Sequence, residues 1–132
     1  MKVYPLIGID ECKFGMARDE VEGRLGLPDR IEKSNNEINW LYDDLGVELS
    51  FMESDAFNLS YISINSKNAE INGIKPIGIT TDDLLSKMKE LNIALEWEEW
   101  EEGHDKYFND AVEIVFWVLD RAVYQIAIFP KE

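Results

Sequence analysis

One short pattern, an apolar entry followed by an acidic helix start, is written twice in this chain and constrains its fold more than any other feature. Gly15-Met16-Ala17-Arg18-Asp19-Glu20-Val21 returns as Gly78-Ile79-Thr80-Thr81-Asp82-Asp83-Leu84, about 63 positions on. Both copies place carboxylates in the first turn of a helix, where the backbone dipole favours negative charge. Thr80 has a hydroxyl that can cap its helix, with Asp83 three residues later. Ala17 has no such group, so the first helix is expected to be the frailer. The spacing predicts a first helix from about Arg18 to Leu25, stopped by Gly26 and Pro28. A second runs from about Thr81 to Leu91, with Leu84, Leu85, Met88 and Leu91 on one stripe and Asn92 as terminator.

The later part of each copy reads as strands. Val47, Leu49 and Phe51 alternate along one face, and Val112, Ile114 and Phe116 repeat that alternation, with Glu48 and Glu113 in matching places. Ile62 and Ile64 correspond to Ile126 and Ile128. Earlier strands are expected at Ile38 to Tyr42 and at Ala94 to Trp100. Turns are expected at Asp43 to Gly46, Glu53 to Asp55, Asn109 to Ala111 and Leu119 to Arg121. Asn65 to Pro76 reads as a linker that packs down through Ile71 and Ile74. The expected architecture is α+β in a single domain, residues 1–132. It is a tandem duplication, about 14–64 and 77–129, of a helix followed by an antiparallel β-meander. Two helices lie on one face of antiparallel sheet, and the two sheets are free to join edge to edge.

Charge narrows the partners. The chain carries 27 acidic against 13 basic residues, a formal charge of -14, which repels nucleic acid and anionic lipid and steers a basic protein inward. A single cysteine, Cys12, leaves no internal disulfide. Met1 to Asp10 shows neither the apolar core nor the small-residue cleavage site of an export signal, and no stretch is apolar enough to span a membrane. A cytoplasmic protein with no membrane association is the expectation.

Catalytic signatures are absent, and no cofactor is implied. His104, the only histidine, falls in the polar stretch Glu102-Gly103-His104-Asp105, which reads as a loop. Cys12 stands beside Lys13, whose charge could lower a thiol pKa, yet free cysteine is more often simply buried. Glu98, Glu99, Glu101, Glu102, His104 and Asp105 could offer metal ligands, but their spacing fits no known cage. Neither a G-x-G-x-x-G nor a Walker lysine loop occurs.

The most distinctive segment is Glu96-Trp97-Glu98-Glu99-Trp100-Glu101-Glu102-Gly103-His104-Asp105, in which two tryptophans sit among carboxylates with no lysine or arginine. On a strand, Trp97 and Glu99 point to one side, and Glu96, Glu98 and Trp100 to the other. The segment can be a solvated edge strand whose carboxylates discourage aggregation. It can equally be a contact patch of Trp97, Glu98, Glu99, Trp100, Glu101, Glu102 and Asp105, with a tryptophan anchor inside an acidic ring that attracts a basic partner.

Phe14-Gly15-Met16-Ala17-Arg18-Asp19-Glu20-Val21 followed by Leu25-Gly26-Leu27-Pro28-Asp29 resembles the helix motif of the tandem-repeat family that includes the β-lactamase inhibitor protein and the small outer-membrane assembly lipoproteins. That resemblance implies a scaffold used for protein binding. The chain departs from it in lacking a lipoprotein signal and a disulfide. By type, an acidic cytoplasmic protein of this size also resembles bacterial immunity proteins, whose cognate toxin domains are often basic nucleases. The expectation is a non-catalytic immunity or inhibitor protein that neutralises a basic toxin domain. The alternative is a small-ligand or regulatory module with a cavity between helices and sheet, and a third reading is an enzyme using Cys12 or His104.

Overall fold

The computed structural model describes residues 1–132. A small ribbon, β1 (Val3–Tyr4) and β2 (Gly8–Ile9), precedes helix α1 (Arg18–Leu25). Strands β3 (Arg30–Lys33), β4 (Glu37–Tyr42), β5 (Val47–Met52) and β6 (Leu59–Ile64) follow. Helix α2 (Thr81–Glu90) leads into β7 (Glu96–Glu101), β8 (His104–Asn109), β9 (Ile114–Leu119) and β10 (Ala122–Ile128). The order of one helix and four strands therefore occurs twice. All eight strands from β3 onward form one antiparallel sheet, ordered β3-β4-β5-β6-β10-β9-β8-β7, so the meanders meet edge to edge at β6 and β10.

The core lies on one side of this sheet. Trp40 and Tyr42 on β4, Val47, Leu49 and Phe51 on β5, and Ile62 and Ile64 on β6 are buried. So are Ile126 and Ile128 on β10 and Ile114, Phe116 and Val118 on β9. Cross-strand partners such as Trp40 and Leu49, Leu49 and Ile62, and Ile126 and Phe116 share that face, because residues directly opposite in a ladder point the same way. Val21 of α1 and Leu84 and Met88 of α2 join the same cluster. A register slip of one residue would turn every one of these strand residues out of it, which fixes the pairing.

Both helix starts are tied to the last strand region of their own meander. Gly15 donates to the Leu59 carbonyl and Leu59 to that of Met16; Gly78 donates to the Val123 carbonyl and Val123 to that of Ile79. The caps differ as the residues dictate. Thr80 Oγ1 accepts from the Asp83 N–H at 3.3 Å, whereas Ala17 offers only its own N–H, to Glu20 Oε1 at 3.4 Å. Gly26 ends α1 at a φ of 78°, and Asn92 lies just beyond α2 at a φ of 61°.

Several sequence expectations need correction. Glu102 to Asp105 is not a loop: only Glu102 and Gly103 turn, and His104 and Asp105 open β8. Polarity misled here, because an edge hairpin with both faces wet needs no apolar alternation. Val112 and Glu113 lie outside the strand expected to hold them. Asn109 Oδ1 accepts from the N–H groups of Ala111 and Val112, an Asx turn, and Glu113 adopts a φ of 49°, so β9 begins only at Ile114. Glu48, inside β5, therefore has no strand counterpart. The strand expected from Ala94 begins at Glu96, since the Ala94 carbonyl accepts from the Asn109 side-chain amide. Strands β1, β2, β3 and β8 add to those the apolar pattern predicts.

Candidate functional site

Strand β7 is an edge of the sheet, and all six of its residues are exposed. It pairs with β8 through Trp97 and Tyr107, Glu98 and Lys106, and Glu99 and Asp105. A bulge follows, so that Glu101 pairs with His104 and Trp100 is left without a partner in the ladder. Tyr107 lies opposite Phe116 of the core face, so Trp97, Glu99 and Asp105 belong to the helix side of the sheet. Glu98 and Trp100 lie on the other, uncovered side. The candidate contact residues are thus divided between two faces of one hairpin, with Glu101 and Glu102 at its tip.

On the helix side, Trp97 is 57% exposed and its Nε1–H donates to Asp105 Oδ1 at 3.2 Å. Glu99 stands directly across from Asp105, and two carboxylates in that relation weaken a strand pair. On the open side, Trp100 is 55% exposed and packs edge-on against Trp117, with ring centroids 5.1 Å apart. Lys106 Nζ lies 4.9 Å from the Phe108 ring centroid, 5.8 Å from that of Trp100 and 3.8 Å from Glu98 Oε2. The hairpin's one cation is engaged internally, while Glu96, Glu99, Glu101 and Glu102 have no ion pair.

Lys106, Phe108 and Trp117 are members of this surface that the sequence reading missed. A signal existed: Ile114-Val115-Phe116-Trp117-Val118-Leu119 is apolar without alternation, as expected of a strand with apolar neighbours on both faces. Alternation along the sequence marks Ile114 and Phe116 as inward, whereas the inward Val118 and the outward Val115, Trp117 and Leu119 emerge only from the structure.

His104 Nδ1 lies 3.1 Å from the Tyr124 hydroxyl, with the two rings edge to face. Cys12 is buried within the core cluster, and burial, then the charge of Glu11, pushes its thiol up to about 11, so it stays protonated at neutral pH. No three His, Cys, Asp or Glu side chains are grouped to hold a metal ion. No helix is long and apolar enough to cross a membrane.

The chain is an α+β protein whose helices cover one face of its eight-stranded antiparallel sheet. An extracellular protein containing an SCP domain from Bacillus anthracis matches 89% of this chain with a TM-score of 0.54 and 13% identity. A DUF4309 family protein from Bacillus subtilis matches 87%, also at 0.54, with 15% identity. This chain spans 44% of the first and 78% of the second, and at these identities the likeness is one of fold. No protein-family model and no curated protein sequence matches the chain.

Proposed function

We propose that this chain is a non-catalytic protein-binding module that captures a basic partner on the β7–β8 hairpin. In its specific form it is a cytoplasmic immunity or inhibitor protein that neutralises a cognate toxin domain. The observation that carries the reading is the pairing of Glu99 with Asp105 beside two tryptophans more than half exposed on opposite faces of a free edge. A fold under selection for stability alone has no reason to keep opposed carboxylates and two large exposed aromatics together. An incoming lysine or arginine would relieve the repulsion, and tryptophan is the side chain most enriched at binding hot spots.

The tandem duplication belongs to the same reading. The two meanders meet with Ser63 opposite Ala127, Ile62 opposite Ile128 and Ile64 opposite Ile126. Residues matched between the copies thus cross-pair about a twofold centre, as the edge of an ancestral homodimer would after fusion. The helix-start hydrogen bonds of Gly15 and Gly78 also agree. This supports the resemblance to the tandem-repeat family of protein binders.

The test is calorimetric titration with a basic toxin domain, taken from a gene neighbouring this one. Binding should weaken as salt rises, because long-range steering is screened. It should disappear when Trp100→Ala is combined with Glu98→Lys and Glu99→Lys. Salt-independent affinity, or full binding by the triple variant, would falsify the hairpin as the contact surface.

A further inference from the structure

The uncovered face of the sheet holds a second feature, far from the hairpin tip. Arg30, Leu41, Glu48 and Ser63 are consecutive cross-strand partners on β3, β4, β5 and β6, so their side chains form a row across the face opposite the helices. Ser63 continues to Ala127 on β10, and Gln125, two residues along, shares that side. With Asn65 beyond the end of β6, Arg30, Leu41, Glu48, Ser63 and Gln125 line a concavity of about 190 Å³.

Its chemistry is unbalanced. Arg30 is committed to Asp43, with Nη2 to Oδ1 at 3.0 Å, and the other ion pair of the chain is Lys106 with Glu98. Glu48 is therefore a half-buried carboxylate with no ion pair, near the like charges of Glu32 and Glu37 and opposed only by the charge of Arg30, which is already paired with Asp43. Ser63, Asn65 and Gln125 border it, and their side chains are engaged in no hydrogen bond with the rest of the chain. A carboxylate, two side-chain amides and a hydroxyl, each able to accept a hydrogen bond, thus border one space, with Leu41 as an apolar wall.

We propose that this concavity is a seat for one guanidinium group, an arginine side chain of the partner. It rests on the reading of that partner as a basic protein and adds a second anchor away from the hairpin. A guanidinium presents five N–H donors in a planar fork and no acceptor, which suits a site rich in acceptors around one carboxylate. The cation would also replace the partner that Glu48 lacks.

The test uses the full chain, labelled with ¹⁵N, and a capped arginine, Nα-acetyl-arginine methylamide. Capped citrulline is the control, because it keeps the shape and removes the charge. Saturable shifts of the Asn65 and Gln125 side-chain amides are expected with arginine and not with citrulline. Glu48→Gln should weaken binding by about tenfold or more, the scale of losing a hydrogen bond to a charged group. Gln125→Lys, which supplies an internal cation, should abolish it, and the rest of each variant's spectrum reports whether the fold is intact. An equal response to citrulline, unchanged affinity in folded Glu48→Gln, or shifts confined to the hairpin would overturn the seat. Trp100→Ala should leave the arginine titration unchanged, so failure of the hairpin and failure of the seat are read separately.

Discussion

The two edge hairpins of the sheet occupy equivalent places and are built in opposite ways. In β3–β4, Trp40 and Tyr42 are 7% and 6% exposed, and the Tyr42 hydroxyl donates to the Gly26 carbonyl at 2.8 Å, fastening the hairpin to the end of α1. In β7–β8, the helix-side residues are Asp105, Tyr107 and Asn109, none of them fully buried, and Trp97 beyond them is largely in solvent. One tryptophan completes the core and the other stands outside it. The second hairpin extends past the layer that would cover it, so its side chains are released from packing and can be chosen for contact with something else.

This difference can be broken most directly by stability. Trp40→Ala removes a buried ring that packs edge-on against Phe51 at 5.2 Å, and a loss of about 3 to 5 kcal/mol is expected in urea denaturation. Trp97→Ala and Trp100→Ala should each cost no more than about 1 kcal/mol, since one loses an exposed hydrogen bond and the other an edge contact. A Trp97→Ala variant as unstable as Trp40→Ala would mean that the second hairpin is core after all. The contrast would then dissolve.

The helix starts sharpen the comparison at a smaller scale. Thr80→Ala removes the only side-chain cap of α2 and should cost about 1 kcal/mol, whereas Ala17→Ser supplies a missing hydroxyl acceptor to α1 and should stabilise the chain by a similar or smaller amount. Thermal unfolding of the two variants against the parent reads both signs. If Ala17→Ser gained nothing, the contact of Glu20 with the Ala17 N–H would already be meeting the needs of that terminus.

These contrasts were unequally legible in the sequence. Helix limits and the inward rows on β5, β6 and β10 could be read because burial imposes a period on apolar residues, and Gly26 and Thr80 mark their boundaries chemically. Strands β3 and β8 could not, because Arg30-Ile31-Glu32-Lys33 and His104-Asp105-Lys106-Tyr107 are edge or near-edge segments with little apolar alternation. Trp97 and Trp100 stood out at once, but which face each occupied depended on strand pairing and on the bulge at Trp100. Lys106 and Trp117 join the surface only through long-range register, which a local pattern does not encode. The concavity around Glu48 draws on five strands from both meanders and had no local signal.

The smallest expected effect concerns Glu48 on the open face. Burial is the main influence that raises its carboxyl above the ordinary glutamate value; the charges of Glu32 and Glu37 add to it, and Arg30 opposes it. A carboxyl raised in the folded chain binds its proton more tightly there than when unfolded. Its contribution to stability is then fully present below the unfolded value and is lost as pH rises through the folded one. Glu48→Gln keeps the neutral form at every pH. It should therefore match the parent in strong acid and become the more stable chain as pH climbs through that window toward neutrality. Urea titrations of the parent and of Glu48→Gln from acid to neutral pH would show whether their stabilities diverge. Parallel pH profiles would mean that the open face holds no desolvated charge at Glu48.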